Sequence, residues 1–329
     1  MKIRITKPGL LSTVQDMGRY GYLHMAVPVS GAMDTVSAQI ANSCIGNDAN
    51  DAVIEFTYGD AEFETETGVL IALSGYGAML SVSAHPVPVN KPVFLPPGVR
   101  VTLSTGNRGC RSYLAVAGGW DVPEVLGSRS TFLSAGFGGF EGRKLAKNDV
   151  LSSKEPLSAT AQKILEELKG MDINSPKWSI PQRGLPEVKT IRVIPAREFT
   201  WFNGLSITNF LTEPYTLSLK SSRMGYHLNG PAMQRLNQQE LLSTAVTPGT
   251  IQVTGDGSLI LLMADCQVTG GYPRLAQVAL ADMPLCGQLK PGDTVYFKEI
   301  SWKEAEMLYI EQEKDMEKLA AGIGHKYAF

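Results

Sequence analysis

Apolar and polar positions alternate in short runs along most of the chain. Ile3 and Ile5 stand between Lys2, Arg4 and Thr6, the period-two pattern of a strand with one buried face. Pro8-Gly9 turns that strand, and Thr13-Val14-Gln15-Asp16 leads into Gly18-Arg-Tyr-Gly-Tyr22. Further strands are predicted over Ala52–Thr57, Ala61–Glu66, Val69–Leu73, Met79–Ser83, Val99–Leu103 and Arg111–Val116. Such a rhythm points to a closed or sandwiched β-structure. Helical spacing is rarer. Asp34 reads as an N-cap, because its oxygen can accept a free first-turn N–H. The helix it starts runs to about Cys44, with Val36, Ile40 and Cys44 on one face and Gly46-Asn47 as its stop. A second amphipathic helix is predicted from Ser158 to Lys169, stopped by Gly170. Residues 170–187, rich in Pro, Gly and polar groups, read as a linker. Strands follow at Thr190–Ile194, Thr250–Val253 and Leu259–Met263, and Pro291–Phe297 closes the series. Ser301 with Glu304 forms a capping box for a last helix to about Leu319.

The apolar run Leu259–Met263 enters Ala264-Asp-Cys-Gln-Val-Thr-Gly-Gly-Tyr-Pro-Arg274. Gly270 and Gly271 allow either a left-handed turn or a close approach to a ligand. The first half carries a counterpart, Leu114-Ala-Val-Ala-Gly-Gly-Trp120, and the correspondence extends further. Arg19-Tyr-Gly-Tyr22 matches Arg223-Met-Gly-Tyr226, and Glu55-Phe56 matches Glu240-Leu241. Pro97-Gly98 matches Pro248-Gly249, and Asn148-Asp-Val150 matches Gly292-Asp-Thr-Val295. The order is the same in both halves. The reading is a mainly β chain of two similar β-barrel-like domains, with equivalent loops meeting at one cleft, although two β-domains can also share turn solutions without duplication. The expected boundaries are 1–157 and 188–300 for the domains, 158–187 for helix and linker, and 301–329 for the closing helix.

Length agrees with two domains, since 329 residues is about twice a typical domain of roughly 150. A net charge of −2 offers no basic stripe to nucleic acid and no polybasic patch to a membrane surface. No apolar run approaches the roughly 18 residues of a membrane helix, and the N-terminus lacks a signal-peptide core. Cys44, Cys110, Cys266 and Cys286 are scattered without a CxxC pair. They read as reduced core thiols of a cytoplasmic protein.

The chemistry-bearing residues are narrow in kind. There is no GxxxxGK[ST] phosphate loop, no HExxH, and no GxSxG nucleophile elbow. His24, His85, His227 and His325 lie far apart, so no metal is expected. Arg19, Asp34, Glu55, Arg129, Arg143, Arg223, Glu240 and Asp265 remain, set beside glycines. Arginine forks bind carboxylate or phosphate, and neighbouring carboxylates can act as bases or orient the arginines. Each taken singly also fits a structural ion pair. As a group they favour a cleft that handles anions.

Gly18–Tyr22, Pro28-Val-Ser-Gly-Ala-Met-Asp34, Tyr113-Leu-Ala-Val-Ala-Gly-Gly119, Gly127-Ser-Arg-Ser-Thr131, Ser222–Tyr226 and Thr269-Gly-Gly-Tyr-Pro273 together resemble the biotin-dependent carboxyltransferase family. It is also called the allophanate hydrolase subunit 2 family. The resemblance spans about residues 3–300 and implies paired cyclophilin-like β-barrels. Within the anion-handling set, Arg19, Glu55, Arg223, Glu240 and Asp265 are the expected catalytic residues. Substrate contacts would come from Tyr22, Ser30, Asp34, Arg129, Arg143, Tyr226, Thr269, Gly270, Gly271 and Tyr272. For a free-standing chain of this length the family implies the C subunit of a 5-oxoprolinase. That enzyme opens 5-oxo-L-proline to L-glutamate with ATP, together with an A subunit and an allophanate hydrolase subunit 1-like B subunit, and this chain alone is expected to be inactive. The family also contains carboxyltransferases that move CO₂ from carboxybiotin to a urea-like nitrogen, and non-catalytic partners of kinase inhibitors. No biotin-acceptor motif occurs in this chain. Ala196-Arg197, Ser222, Cys266, Val268 and Arg274 depart from the family pattern, which leaves the substrate open.

Overall fold

The computed structural model describes residues 1–182, 184–237 and 240–328. Positions 183 and 329, in the expected linker and closing segment, lie outside the described residues. The chain divides into two compact units. One comprises Met1–Arg19, Ser30–Gly184 and Lys314–Phe329; the other comprises Tyr20–Val29 and Leu185–Glu313.

The first unit contains, in order, β1 (Lys2–Pro8), β2 (Leu11–Gln15), α1 (Thr35–Cys44), β3 (Val53–Thr57), β4 (Ala61–Thr65), β5 (Val69–Gly75), β6 (Ala78–Val82), β7 (His85–Val87), β8 (Val93–Leu95), β9 (Arg100–Thr105), β10 (Arg111–Val116), β11 (Val150–Ser152) and α2 (Ala159–Leu168). The strands form a six-stranded sheet, β11-β1-β4-β9-β6-β7, and a five-stranded sheet, β2-β3-β10-β5-β8. Ile3, Ile5, Phe63, Val101 and Leu103 from the first meet Val14, Ile54, Ile71, Leu73 and Leu114 from the second in one core. The alternation that marked Ile3 and Ile5 is therefore the buried side of β1. β5 and β10 are buried along their whole length. Their second faces, with Leu70, Ala72, Tyr113 and Ala115, pack on Ala38, Ala41 and Cys44 of α1 and Ile164 and Leu168 of α2. Burial on both sides is why these two strands read as nearly continuous apolar runs.

The second unit contains β12 (Lys189–Pro195), α3 (Gly204–Thr212), β13 (Tyr215–Leu217), β14 (Gly225–Asn229), β15 (Thr244–Ala245), β16 (Thr250–Val253), β17 (Leu259–Leu262), β18 (Thr269–Gly270), β19 (Arg274–Val278), α4 (Met283–Gly287), β20 (Thr294–Glu299) and the start of α5 (Trp302–Lys326). Seven of its strands close a barrel in the order β12-β19-β16-β17-β14-β13-β20. The seam is a parallel pairing of β12 with β20, Lys189 opposite Val295 through Val193 opposite Glu299. Phe210 of α3 stacks on Phe297 at 4.7 Å between centroids. The remaining two strands, β15 and β18, form a separate ribbon. The last half of α5 belongs to the first unit, where Ile323 and Tyr327 join its second core.

The fold is thus mainly β with a few helices. α1 and α2 start at Asp34 and Ser158, whose side chains accept from Ser37 N and Ala161 N. α5 runs seven residues beyond the expected stop at Leu319, since Gly322 and Gly324 stay out of the left-handed region and no proline follows. All four cysteines are buried and none is in a disulfide.

Candidate functional site

The first unit gathers its polar residues at one corner, beyond the end of β2. Asp16 is fully buried there. Its carboxylate accepts from Gly18 N (2.9 Å), Ser128 Oγ (2.7 Å), Arg129 N (2.5 Å) and Ser130 Oγ (2.5 Å). Its carbonyl accepts from Ala32 N at 2.9 Å. One aspartate thus ties the Gly127–Thr131 loop to the loop that carries Ser30. Arg19, also fully buried, donates from Nε to Val125 O and from Nη2 to Ser130 O, both at 2.9 Å. Its guanidinium lies 4.8 Å from the Phe137 ring centroid. Gly138 makes that reach possible: a Cβ there would sit 2.1 Å from Ser130 O and 2.9 Å from Arg19 Nη2.

The Ser30 loop is fixed from its other side by a buried network on β3 and β10. Glu55 accepts from Met33 N at 2.9 Å and from Tyr113 Oη at 2.8 Å. Tyr113 Oη in turn accepts from Asp34 N at 2.7 Å. Arg111 lies beside Glu55, at 3.6 Å. Burial, with Glu55 and Asp34 alongside, pushes the Tyr113 phenol well above its usual range, so it is a permanent donor here. Ser30 takes a left-handed φ of 56°, and Gly31 packs so tightly that a Cβ would lie 3.0 Å from Gly18.

In the second unit the structure joins two candidates that lie far apart in sequence. Arg223 donates from Nε to Asp265 Oδ2 at 2.7 Å and from Nη2 to Oδ1 at 3.1 Å. Both side chains are buried. Asp265 N also donates to Arg223 O. The pair is a bidentate clamp between the start of β14 and the segment after β17. Gln252 is buried on β16, donates to Tyr272 O at 3.2 Å and accepts from Gln267. Gly270 lies directly over it, for a Cβ there would come 2.6 Å from Gln252 Nε2.

Several expectations change at this point. Gly118 and Gly119 are left-handed, but Gly270 and Gly271 are not. Gly270 instead belongs to β18, opposite Thr244, and its bareness admits Gln252. Arg19 and Arg223 are interior residues. Glu55 is buried, whereas its counterpart Glu240 is exposed, so the matched glutamates stand in different surroundings. Arg143 is partly exposed and engaged by Asp149 and Glu141, Arg129 pairs with Glu124 at 3.1 Å, and Tyr226 is buried on β14. Tyr22 caps a short 3-10 turn, and Thr269 and Tyr272 are exposed. Sequence reasoning missed Asp16 and Glu198. Asp16 carried one local signal, a glycine two residues on, as in an Asx turn. Glu198 holds Arg274 bidentately at 2.7 and 2.8 Å, a pairing with no local signature. Among the described residues no group of three or more His, Cys, Asp or Glu is placed to hold a metal. Among the described residues no helix is long and apolar enough to cross a membrane.

Comparison with known proteins adds to this geometry. The model of the family described as carboxyltransferase domain, subdomain A and B, matches residues 25–299. The chain is 37% identical to the C subunit of the Escherichia coli 5-oxoprolinase, over 97% of each protein. It is 33% identical to the urea amidolyase of Lachancea kluyveri, over 97% of this chain but 18% of that protein. The crystal structure of the Kluyveromyces lactis urea carboxylase superposes with a TM-score of 0.86 and 29% identity, over 97% of this chain and 29% of that one.

Proposed function

This chain belongs to the carboxyltransferase domain family, subdomain A and B, and from that premise we propose that it is the C subunit of a 5-oxoprolinase. In this reading it works in the cytoplasm with an A subunit and an allophanate hydrolase subunit 1-like B subunit. Together they open the ring of 5-oxo-L-proline to L-glutamate, driven by ATP. The observation that carries the reading is the 37% identity running through 97% of a protein that is itself part of a 5-oxoprolinase.

Four arginines that could meet a triphosphate are already engaged by carboxylates. Arg223 is taken by Asp265, Arg274 by Glu198, Arg192 by Asp282 and Arg143 by Asp149. The first turn of α1 is already capped by the Asp34 carboxylate, which opposes a second anion. In this reading the nucleotide is held by a partner subunit. What this chain's residues supply is a rigid, polar surface for the small cyclic amide.

The test is co-expression with the neighbouring genes and assay of 5-oxo-L-proline-dependent ATP hydrolysis. The complex is expected to turn over and the purified single chain is not. Robust turnover by the single chain overturns the split-subunit reading, and an inert complex overturns the activity itself. A second reading is supported by the likeness to urea carboxylase: a carboxyltransferase taking CO₂ from carboxybiotin on another chain to a urea-like nitrogen. Urea-dependent consumption of carboxybiotin by the same complex distinguishes it.

A further inference from the structure

Asn-Gly occurs twice in the chain, at Asn203-Gly204 and Asn229-Gly230. The dipeptide is reactive because glycine has no Cβ to keep its nitrogen away from the preceding side chain. That nitrogen can attack the asparagine carboxamide carbon and close a five-membered ring. The structure sets the two copies apart. Asn203 caps α3: its Oδ1 accepts from Ser206 N at 2.8 Å, and its Nδ2 donates to Gln234 Oε1 at 3.1 Å. Its backbone is held as well, N donating to Gln234 O and O accepting from Ile207 N. Attack by Gly204 has to undo the cap and these contacts. Asn229, by contrast, is exposed and is the last residue of β14. The ladder with β17 stops one residue earlier, at Leu228 opposite Leu259. Toward β13, Asn229 faces Thr216 in the terminal pair, and the ends of elements open most readily. Among the described residues, neither the Asn229 carboxamide nor the Gly230 N–H has a hydrogen-bond partner.

We infer that Asn229-Gly230 is a modification site, where the chain converts itself to isoaspartate through a succinimide. The Gly230 nitrogen bonds to Asn229 Cγ, and the bond from Cγ to the side-chain nitrogen breaks. That nitrogen leaves as ammonia with the proton given up by Gly230. Water then opens the ring. Addition at Cγ gives aspartate at position 229, and addition at the main-chain carbonyl gives isoaspartate. Nothing is oxidised or reduced, and water is the only co-reactant. Isoaspartate puts an extra methylene into the main chain just before Gly230. The shift meets Tyr215, for a Cβ on Gly230 would already lie 2.4 Å from that ring. Tyr215 is 1% exposed, packs with Phe210 and Phe297, and donates to Pro231 O at 3.1 Å. Conversion therefore loosens the corner of the barrel where β13 meets β14.

The full chain is aged at mildly alkaline pH, well below its melting transition. Peptides spanning positions 203 and 229 are followed by mass spectrometry and by an isoaspartyl methyltransferase assay. Asn229 is expected to convert about tenfold faster than Asn203, whose carboxamide must first lose its hydrogen bonds. Asn229→Gln, whose longer side chain closes a ring far more slowly, is expected to lose the isoaspartate signal at that peptide. Thermal melts of the same samples read the consequence. The aged protein is expected to melt lower than Asn229→Asp, which carries the new charge without the added methylene. Asn229 left intact in the folded chain, while the same chain aged in guanidinium converts there, overturns the site. Conversion of Asn203 as fast as Asn229 overturns it too, because the local structure then makes no choice between the two copies. An aged sample that melts together with Asn229→Asp overturns the loosening of the barrel.

Discussion

Arg223 and Asp265 are a buried, bidentate pair, and that sets what their replacement does. Removing one partner strands the other charge in the interior, at a cost of about 3–5 kcal/mol. Arg223→Ala and Asp265→Asn are therefore expected to lower the urea midpoint of unfolding strongly, and any loss of function has to be judged on protein shown to be folded. A double replacement by well-packed apolar residues is expected to recover much of the stability, because it removes both charges. Glu198 makes a prediction in pH. The hydrogen bonds from Arg274 hold its carboxyl below the usual 4.5. A carboxylate depressed in the folded state stabilises at pH above its unfolded pKa, and that contribution is lost as pH falls through the folded value. Glu198→Gln is expected to lower stability at pH 7 and to flatten the acid limb of stability below about pH 4.5. Urea titrations at several pH values check both. The residue types of these sites were legible in the sequence, their pairings were not: Arg223 meets Asp265 across 42 residues and Arg274 meets Glu198 across 76. Only the fold brings them into reach.

Elements were easier to read, because capping and periodicity are local. Asp34 and Ser158 begin their helices where the sequence places them, and β10 has the predicted limits. What escaped were short elements without a full period, such as β7 and β8, each three residues long, and the ribbon of β15 with β18. Local geometry also separates two glycines in one loop. Gly136 and Gly138 are both left-handed, at φ 66° and 71°. A Cβ on Gly136 meets nothing within 4 Å, but on Gly138 it lands on the Ser130 carbonyl. Gly136→Ala is expected to cost about 1–2 kcal/mol, from the left-handed backbone alone. Gly138→Ala is expected to exceed about 4 kcal/mol, since it also displaces the Arg19 contact. Equilibrium unfolding of both variants tests the difference. Tyr113→Phe removes a donor from Glu55 and an acceptor from Asp34 N. The expected loss of about 1–3 kcal/mol is measured by the same unfolding, with exchange of the Asp34 amide accelerated.

At the scale of the molecule, the mainly β architecture was visible in the spacing of short apolar runs, and the glycines of the Pro-Gly turns before β9 and β16 are both left-handed. The matches at Glu55 and at the paired glycines share letters but not conformation, since drift in loops leaves no periodic signal. The barrel of the second unit also bears on how the protein is made. Its seam joins β12 to β20, so the partner of residues 189–193 emerges from the ribosome roughly 100 residues later. At typical elongation rates that is a delay of roughly 5–20 s, and β19, on the other flank, also lies downstream, so β12 is open to strange strands for most of it. Lys189, Arg192 and Pro195 are the residue types that discourage such pairing, so the nascent chain carries its own protection until its last strand arrives.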